Sequence, residues 1–388
     1  MMVRYSGISR YTDQLLRAFA RIDTSNEYVL YGLDGGIQGR VPTTNAKDFG
    51  PRFSRDARRV PQIHKLDRGM LLGKSANLDL FHGTNYWAPL IRNFPSVLTI
   101  HDLTVHLLPE NHPRTRRLAH ALLPVHCRSA KRIIADSLNT KRDLQRHYKI
   151  PPERIDVIHL AAGDEFHPVS REEDLQPVRQ RYGLPDDFMF FVGAIEPRKN
   201  IPLLVRALYW LRRDGLTLPL VIAGNGKEEY VASLHRLVEH LNLELGKDVI
   251  ILGNVANVDL PALYSLCELF VYPSQYEGFG LPPLEALACG TPVVVPNNSS
   301  FGEIYTGCAT FASLDSPQTL AEAISKALAP SSATNELVDR GMKLAHSRSW
   351  DDTAAETLDV YRRAGGRRPL SSTRRLPAAH VPSGPRSA

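Results

Sequence analysis

The sequence predicts an α/β protein of two domains, each a parallel sheet flanked by helices. Three observations lead there. The chain has 388 residues, which at roughly 150 residues per domain fits two domains better than one. Strand-length hydrophobic runs alternate with helical patterns along most of it, as parallel α/β layers require. Hydrophobic residues make up 43% and charged residues 23%, which excludes collagen-like, coiled-coil and fully disordered classes.

In the first half the strand candidates are 28–32, 78–83, 95–102, 132–137 and 155–160, each a short apolar run. Helical spacing of apolar residues falls at 8–22, 114–125 and 140–148, with Ser137 or Asn139 placed to cap the last. Residues 38–70, rich in Arg, Pro and Gly, read as a long basic loop. Residues 161–187 are polar, contain Pro168, Pro177 and Pro185, and read as the passage between the domains.

A second alternating series follows, with strands expected at 188–195, 218–224, 249–253, 269–273, 291–295 and 309–314 and a helix after each of the first five. Residues 350–364 read as a closing amphipathic helix, and 365–388, all Pro, Ser, Arg and small residues apart from two Leu, one Val and a His, as a disordered basic tail. The expected division is 1–168, 169–364 and the tail. No apolar run approaches the ~18 residues needed to cross a bilayer. There is no apolar leader, and Cys127, Cys267, Cys289 and Cys308 form no Cys-x-x-Cys pair, so a cytoplasmic protein with buried thiols is expected.

The net charge of +6 conceals an asymmetry. Residues 1–168 carry 25 basic and 16 acidic side chains, 169–364 carry 17 and 25, and 365–388 carry 5 and none. A basic first half beside an acidic second half implies different partners for the two, an anionic lipid surface or acidic acceptor among them, with plain solvated charge as the alternative. The basic groups are Arg52, Arg55, Arg58, Arg59, Lys65 and Arg68, and Arg114, Arg116 and Arg117.

The most informative stretch runs from Leu269 to Val295 and reads strand, loop, short helix, strand. Pro282 and Pro283 suit a first helical turn, where their missing N–H groups would be unpaired anyway, and Gly290 suits the stop. The loop 277–281 therefore lies at a strand's carboxyl end and a helix N-terminus, where α/β sheets bind ligands and free N–H groups attract phosphate. Glu277 and Glu285 bracket it with seven residues between them. Carboxylates accept hydrogen bonds from paired hydroxyls, so this spacing suits one for a sugar and one for a ribose. The spacing alone also fits a glycine-rich turn with two surface glutamates.

On these residues the chain resembles the retaining glycosyltransferases of family 4. Glu277-Gly-Phe-Gly-Leu-Pro-Pro-Leu-Glu285 matches the family's paired-glutamate motif. The likeness extends to Thr99-Ile-His-Asp102, Phe191-Val-Gly-Ala-Ile-Glu-Pro-Arg-Lys-Asn200, Val221-Ile-Ala-Gly-Asn-Gly226 and Leu252-Gly-Asn-Val255, in the family's order. The resemblance implies a GT-B fold: two facing Rossmann-like domains with an interdomain cleft.

It also implies roles. Arg198 and Lys199 are expected to neutralise the donor diphosphate as the sugar bond breaks, a charge that fixed cations stabilise. Ala194 stands where many members have an Arg, so Arg198 takes its place. Glu277 is expected to hold donor sugar hydroxyls, with the backbone of Gly278, Phe279, Gly280 and Leu281 against sugar and diphosphate. Glu285 is expected on the ribose, Val255 on the nucleobase, His101 on the donor sugar from the first domain, and Gly7 in the turn facing the phosphates. Members carry a strand and loop ahead of this turn, whereas six residues precede Gly7; a first domain lacking its central first strand is expected.

The implied reaction transfers a sugar from a nucleoside diphosphate sugar to an acceptor hydroxyl with retention, without metal or other cofactor, since no Asp-x-Asp occurs. No nucleophile or general base is assigned; Asp102 stands beside His101, where a structural hydrogen-bonding role serves equally well. The style of the phosphate loop and of Ser6-Gly-Ile-Ser-Arg-Tyr11 points to mannose from GDP-mannose in surface polysaccharide or glycolipid assembly, with UDP-sugars open. The expected partners are the donor, a glycan or lipid-linked acceptor and the inner face of an anionic membrane, with no nucleic acid. A sugar nucleotide epimerase and a non-catalytic nucleotide-sugar binder are the alternatives.

Overall fold

The computed structural model describes residues 7–31, 37–41, 78–88, 90 and 94–365. The described residues begin with the opening helix Gly7–Ile22, whose buried Tyr11, Leu15, Ala18 and Phe19 recur at helical spacing. Strands β1 (Tyr28–Tyr31) and β2 (Ile37–Val41) pair antiparallel as a separate ribbon. This corrects the loop expected from residue 38: the Gly and Arg inside β2 hid a short strand that pairing with β1 supports.

The first sheet contains, among the described residues, β3 (Phe81–Gly83), β4 (Ser96–Ile100), β5 (Arg132–Ala135) and β6 (Ile155–Val157), all parallel and in that order. β4 is buried along its whole length, the pattern of a strand covered on both faces. The helix expected over 114–125 is two, Arg114–His120 and Leu123–Ser129. Pro124 explains the break: it has no amide N–H to donate to the carbonyl four residues back and its ring crowds that carbonyl, so it fits a helix only in the first turn. Ser137 caps the helix Leu138–Tyr148, accepting a hydrogen bond from the Thr140 amide.

The stretch expected as a polar passage contains the helix Glu172–Tyr182. Glu172, Glu173 and Asp174 favour its N-terminus, Gly183 ends it at φ 59°, and Leu175 and Val178 are buried beneath it, so one proline is tolerated.

The second sheet is six parallel strands: β7 (Met189–Val192), β8 (Leu220–Ala223), β9 (Val249–Gly253), β10 (Leu269–Val271), β11 (Val293–Pro296) and β12 (Thr310–Ala312). Their spatial order is β12-β11-β10-β7-β8-β9. The chain winds one way from β7 through β9 and then returns to the other side at β10. β7 and β10 are therefore neighbours at the switch point, and the crevice beyond their carboxyl ends is where such sheets bind ligands. Beyond β12 two further helices, Pro317–Leu328 and Ser332–His346, start at the capping residues Ser316 and Ser331.

The closing helix Trp350–Gly365 crosses back to the first sheet. Its Val360 and Ala364 pack with Val97, Ile134 and Ile158, and Asp351 pairs with Arg21 of the opening helix at 2.6 Å. The expectations for residues before Gly7, for the loop 42–70 and for the tail 366–388 lie outside the described residues. No helix among the described residues is long and apolar enough to cross a membrane. Cys127, Cys267 and Cys289 are buried free thiols and Cys308 is partly buried.

Candidate functional site

The two loops at the switch point meet on one carboxylate. The β10 strand releases the chain at Tyr272, and a loop brings Ser274 and Glu277 back toward the sheet edge. The β7 loop ends in the single turn Pro197–Lys199, closed by Asn200 in left-handed backbone at φ 57°. Glu277 Oε1 accepts hydrogen bonds from Ser274 Oγ at 2.7 Å, from an Arg198 guanidinium nitrogen at 2.8 Å and from Lys199 Nζ. Lys199 Nζ also donates to the Tyr272 hydroxyl and lies 4.8 Å from the centre of its ring. Arg198 Nε reaches Glu196 at 2.7 Å.

Burial drives the Glu277 carboxyl up, but the charges of Arg198 and Lys199 outweigh it and hold the group down at about 2. Burial, then the like charge of Arg198, lowers Lys199 against the pull of Glu277. Arg198 is desolvated too, yet Glu277 and Glu196 raise it further. Glu277 is 8% exposed and Glu285 2%, which rules out the reading of two surface glutamates.

The same loop touches the first domain. A Cβ on Gly278 would stand 1.7 Å from the His101 carbonyl oxygen, so only glycine permits this approach. His101 directly follows β4 and is buried, its Nδ1 2.7 Å from Asp136 Oδ2 and its Nε2 3.0 Å from the Thr84 carbonyl oxygen. Two acceptors require both ring nitrogens to carry protons. Burial disfavours that charge, but Asp136 and the Thr84 carbonyl prevail and raise the imidazole above its ordinary value. The ring reaches the cleft only by giving up one of these partners. Asp102 is half-buried and accepts hydrogen bonds from the Thr104 amide and hydroxyl, a local turn.

Glu285 sits on the helix Leu281–Ala288, which Gly280 introduces at φ 94° with Pro282 and Pro283 in the first turn. Its Oε2 accepts from the Tyr264 hydroxyl at 3.0 Å and its Oε1 from Arg10 of the opening helix. Phe279 and Leu281 are buried, and Val255 is half-buried against the core of the second domain. Gly7 starts the opening helix in the open: a Cβ there would meet nothing within 4 Å. The structure thus gathers Arg198, Lys199 and Glu277 in one cluster, joins Gly278 to His101, and leaves Gly7 and Val255 apart from both.

Sequence reasoning did not single out Ser274, Tyr272, Tyr264, Asp136 or Arg10. Ser274 and Tyr272 stand within five residues of Glu277, so the loop itself was a signal. Tyr264, Asp136 and Arg10 reach their partners over 21, 35 and 275 residues of chain, and no local pattern marks them.

Two facing parallel-sheet domains with charged groups gathered at their seam define a GT-B fold. The chain belongs to the glycosyltransferases of group 1 and family 4: the pattern of the glycosyl transferases group 1 matches residues 176–343, and that of Glycosyltransferase Family 4 matches residues 5–162. It is 34% identical to the O-antigen chain mannosyltransferase B of Escherichia coli over 287 residues, 73% of this chain and 74% of that one. A serotype-specific mannosyltransferase WbdA of Escherichia coli is 32% identical over 236 residues, 60% of this chain but only 29% of WbdA. Among solved structures, Anabaena HepE in complex with UDP and glucose superposes with a TM-score of 0.64 at 23% identity, covering 76% of this chain and 81% of HepE. WaaG, a glycosyltransferase involved in lipopolysaccharide biosynthesis, gives 0.68 at 17% identity over 92% and 97%.

Proposed function

We propose that the chain transfers mannose from GDP-mannose, with retention, to an acceptor hydroxyl in the assembly of a cell-surface polysaccharide or glycolipid. One observation carries the reading: at the switch point, two cations and a hydroxyl converge on the buried carboxylate of Glu277. In the reaction the bond from the anomeric carbon to the diphosphate oxygen breaks, and the acceptor oxygen bonds the same carbon on the same face. The acceptor proton passes to the departing phosphate oxygen.

Lys199 and Arg198 stabilise the growing diphosphate charge, which fixed cations do without metal. Glu277, held ionised by them, accepts hydrogen bonds from sugar hydroxyls, and the backbone of Gly278, Phe279, Gly280 and Leu281 faces sugar and phosphates. Glu285 takes the ribose, Val255 the base by its main chain, His101 the sugar, and Gly7 the phosphate side. The O-antigen mannosyltransferase relatives support mannose, and HepE, a protein of the same fold in complex with UDP and glucose, supports a nucleotide-linked donor.

A peripheral membrane seat fits the first domain. Leu118 is 77% exposed and Leu122 and Val125 stand out beside it, flanked by exposed Arg114, Arg116 and Arg117. Such a surface suits anionic lipid, each basic group near it contributing about 1 kcal/mol. The cluster Arg52 to Arg68 lies outside the described residues.

A transfer assay with GDP-mannose, UDP-glucose and other nucleotide sugars on a lipid-linked acceptor tests the whole reading. Turnover with GDP-mannose and an unchanged anomeric configuration in the product are expected. Affinity without turnover identifies a binder, and conversion of the donor without acceptor identifies an epimerase. Sedimentation with anionic vesicles at low salt tests the membrane seat, which falls if binding survives replacement of Leu118, Leu122 and the three arginines by Gln.

A further inference from the structure

The carboxylate of Glu285 already has an occupant from the other domain. Arg10, on the opening helix, places its guanidinium on Oε1 while Tyr264 holds Oε2, and the Glu285 side chain is 2% exposed. A ribose needs this carboxylate's lone pairs, and both oxygens are already engaged on a side chain almost fully shielded from solvent. The two groups guarding it differ in freedom. Tyr264 is fully buried behind the carboxylate, whereas the Arg10 side chain keeps 16% exposure. Arg10 is the group with a way out.

Its surroundings place it beside the crossover between the domains. The guanidinium lies 4.9 Å from the centre of the Phe166 ring, in the crossover between the domains, and Gln14, one turn along the same helix, donates to Glu165 at 3.4 Å. One face of the opening helix thus grips both the crossover and the helix Leu281–Ala288. Neutral hydroxyls that replaced Arg10 on Glu285 would leave a desolvated cation unpaired, a costly arrangement, so the guanidinium must leave for water or for an anion.

We propose that Arg10 is an intramolecular competitor for the nucleotide ribose: it occupies Glu285, and nucleotide binding ejects it. The inference rests on the reading of Glu285 as the ribose ligand. Nucleotide affinity is then reduced by the fraction of molecules in which Arg10 stays docked, and removal of the competitor restores it.

Calorimetric titration of the full chain tests this, using GDP and UDP, whichever wild type binds more tightly, with inorganic pyrophosphate as the probe that has no ribose. Arg10→Met is expected to bind the nucleotide about tenfold more tightly and pyrophosphate unchanged, an effect typical of a tenth-populated competent state. Arg10→Lys keeps a competing cation and is expected to stay near wild type. Glu285→Gln weakens the nucleotide, and adding Arg10→Met to it brings no gain. Melting curves confirm that each variant is folded, and Arg10→Gln replaces Arg10→Met if the latter is not. Unchanged or weaker nucleotide binding by the folded Arg10 variants, while Glu285→Gln still weakens it, overturns the competitor and leaves the ribose reading standing. Weakened binding of both nucleotide and pyrophosphate makes Arg10 a diphosphate cation instead and overturns it as well. Unchanged affinity in Glu285→Gln removes the ribose reading and this inference with it.

Discussion

Replacing Glu277 by Gln keeps the shape of the side chain and removes the charge on which the switch-point loops converge. The size of the effect follows from the carboxyl's displacement. A fall from the ordinary 4.5 to about 2 in the folded protein corresponds to about 3 kcal/mol of stabilisation at neutral pH. Because the folded value is depressed, this contribution is complete above the ordinary value and disappears as pH falls from 4.5 toward 2. Urea unfolding at pH 7 should therefore show the variant destabilised by about 3 kcal/mol in the transition of the second domain. The gap should close as the titration is repeated at lower pH, since wild type loses by protonation what the variant already lacks. Transfer should fall at least about a hundredfold, as for other lost transition-state contacts. A gap below about 1 kcal/mol, or one that does not change with pH, would refute the argument that Arg198 and Lys199 hold this group ionised.

Lys199→Met should lower turnover by about two to three orders of magnitude with an unchanged circular dichroism spectrum; near-normal turnover removes its role at the diphosphate. Asp136→Asn should lower the His101 titration midpoint, read by NMR of its ring protons. His101 is raised in the folded state, so the stability lost in this variant should be present in acid and shrink as pH rises past the wild-type midpoint. Gly278→Ala would place a methyl 1.7 Å from the His101 carbonyl oxygen, and small-angle scattering should then show the domains separated; an unchanged radius of gyration contradicts the close approach.

Much of the second domain was legible because its strands are buried on both faces. Met189–Val192 and Leu220–Ala223 are uninterrupted apolar runs between helical patterns, and that contrast survives in one dimension. Elements that rest on partners were harder to see. Ile37–Val41 exists by pairing with Tyr28–Tyr31, and Glu172–Tyr182 exists by burying Leu175 and Val178 despite Pro177. Neither carries a strong propensity of its own, so composition pointed to loops.

The alternation of strand and helix, the position of loop 277–281 before a proline-started helix, and the residue types of the paired-glutamate motif are all readable along the chain. These are local properties, set by side-chain period, missing amide protons and glycine freedom over a few residues. Only the three-dimensional packing buries Glu277 between Arg198 and Lys199, lays Gly278 against His101, covers the first sheet with the closing helix and brings Arg10 onto Glu285. Each of those contacts joins residues dozens to hundreds of positions apart, and each depends on strand order and domain closure, which bring together groups that no spacing along the chain relates.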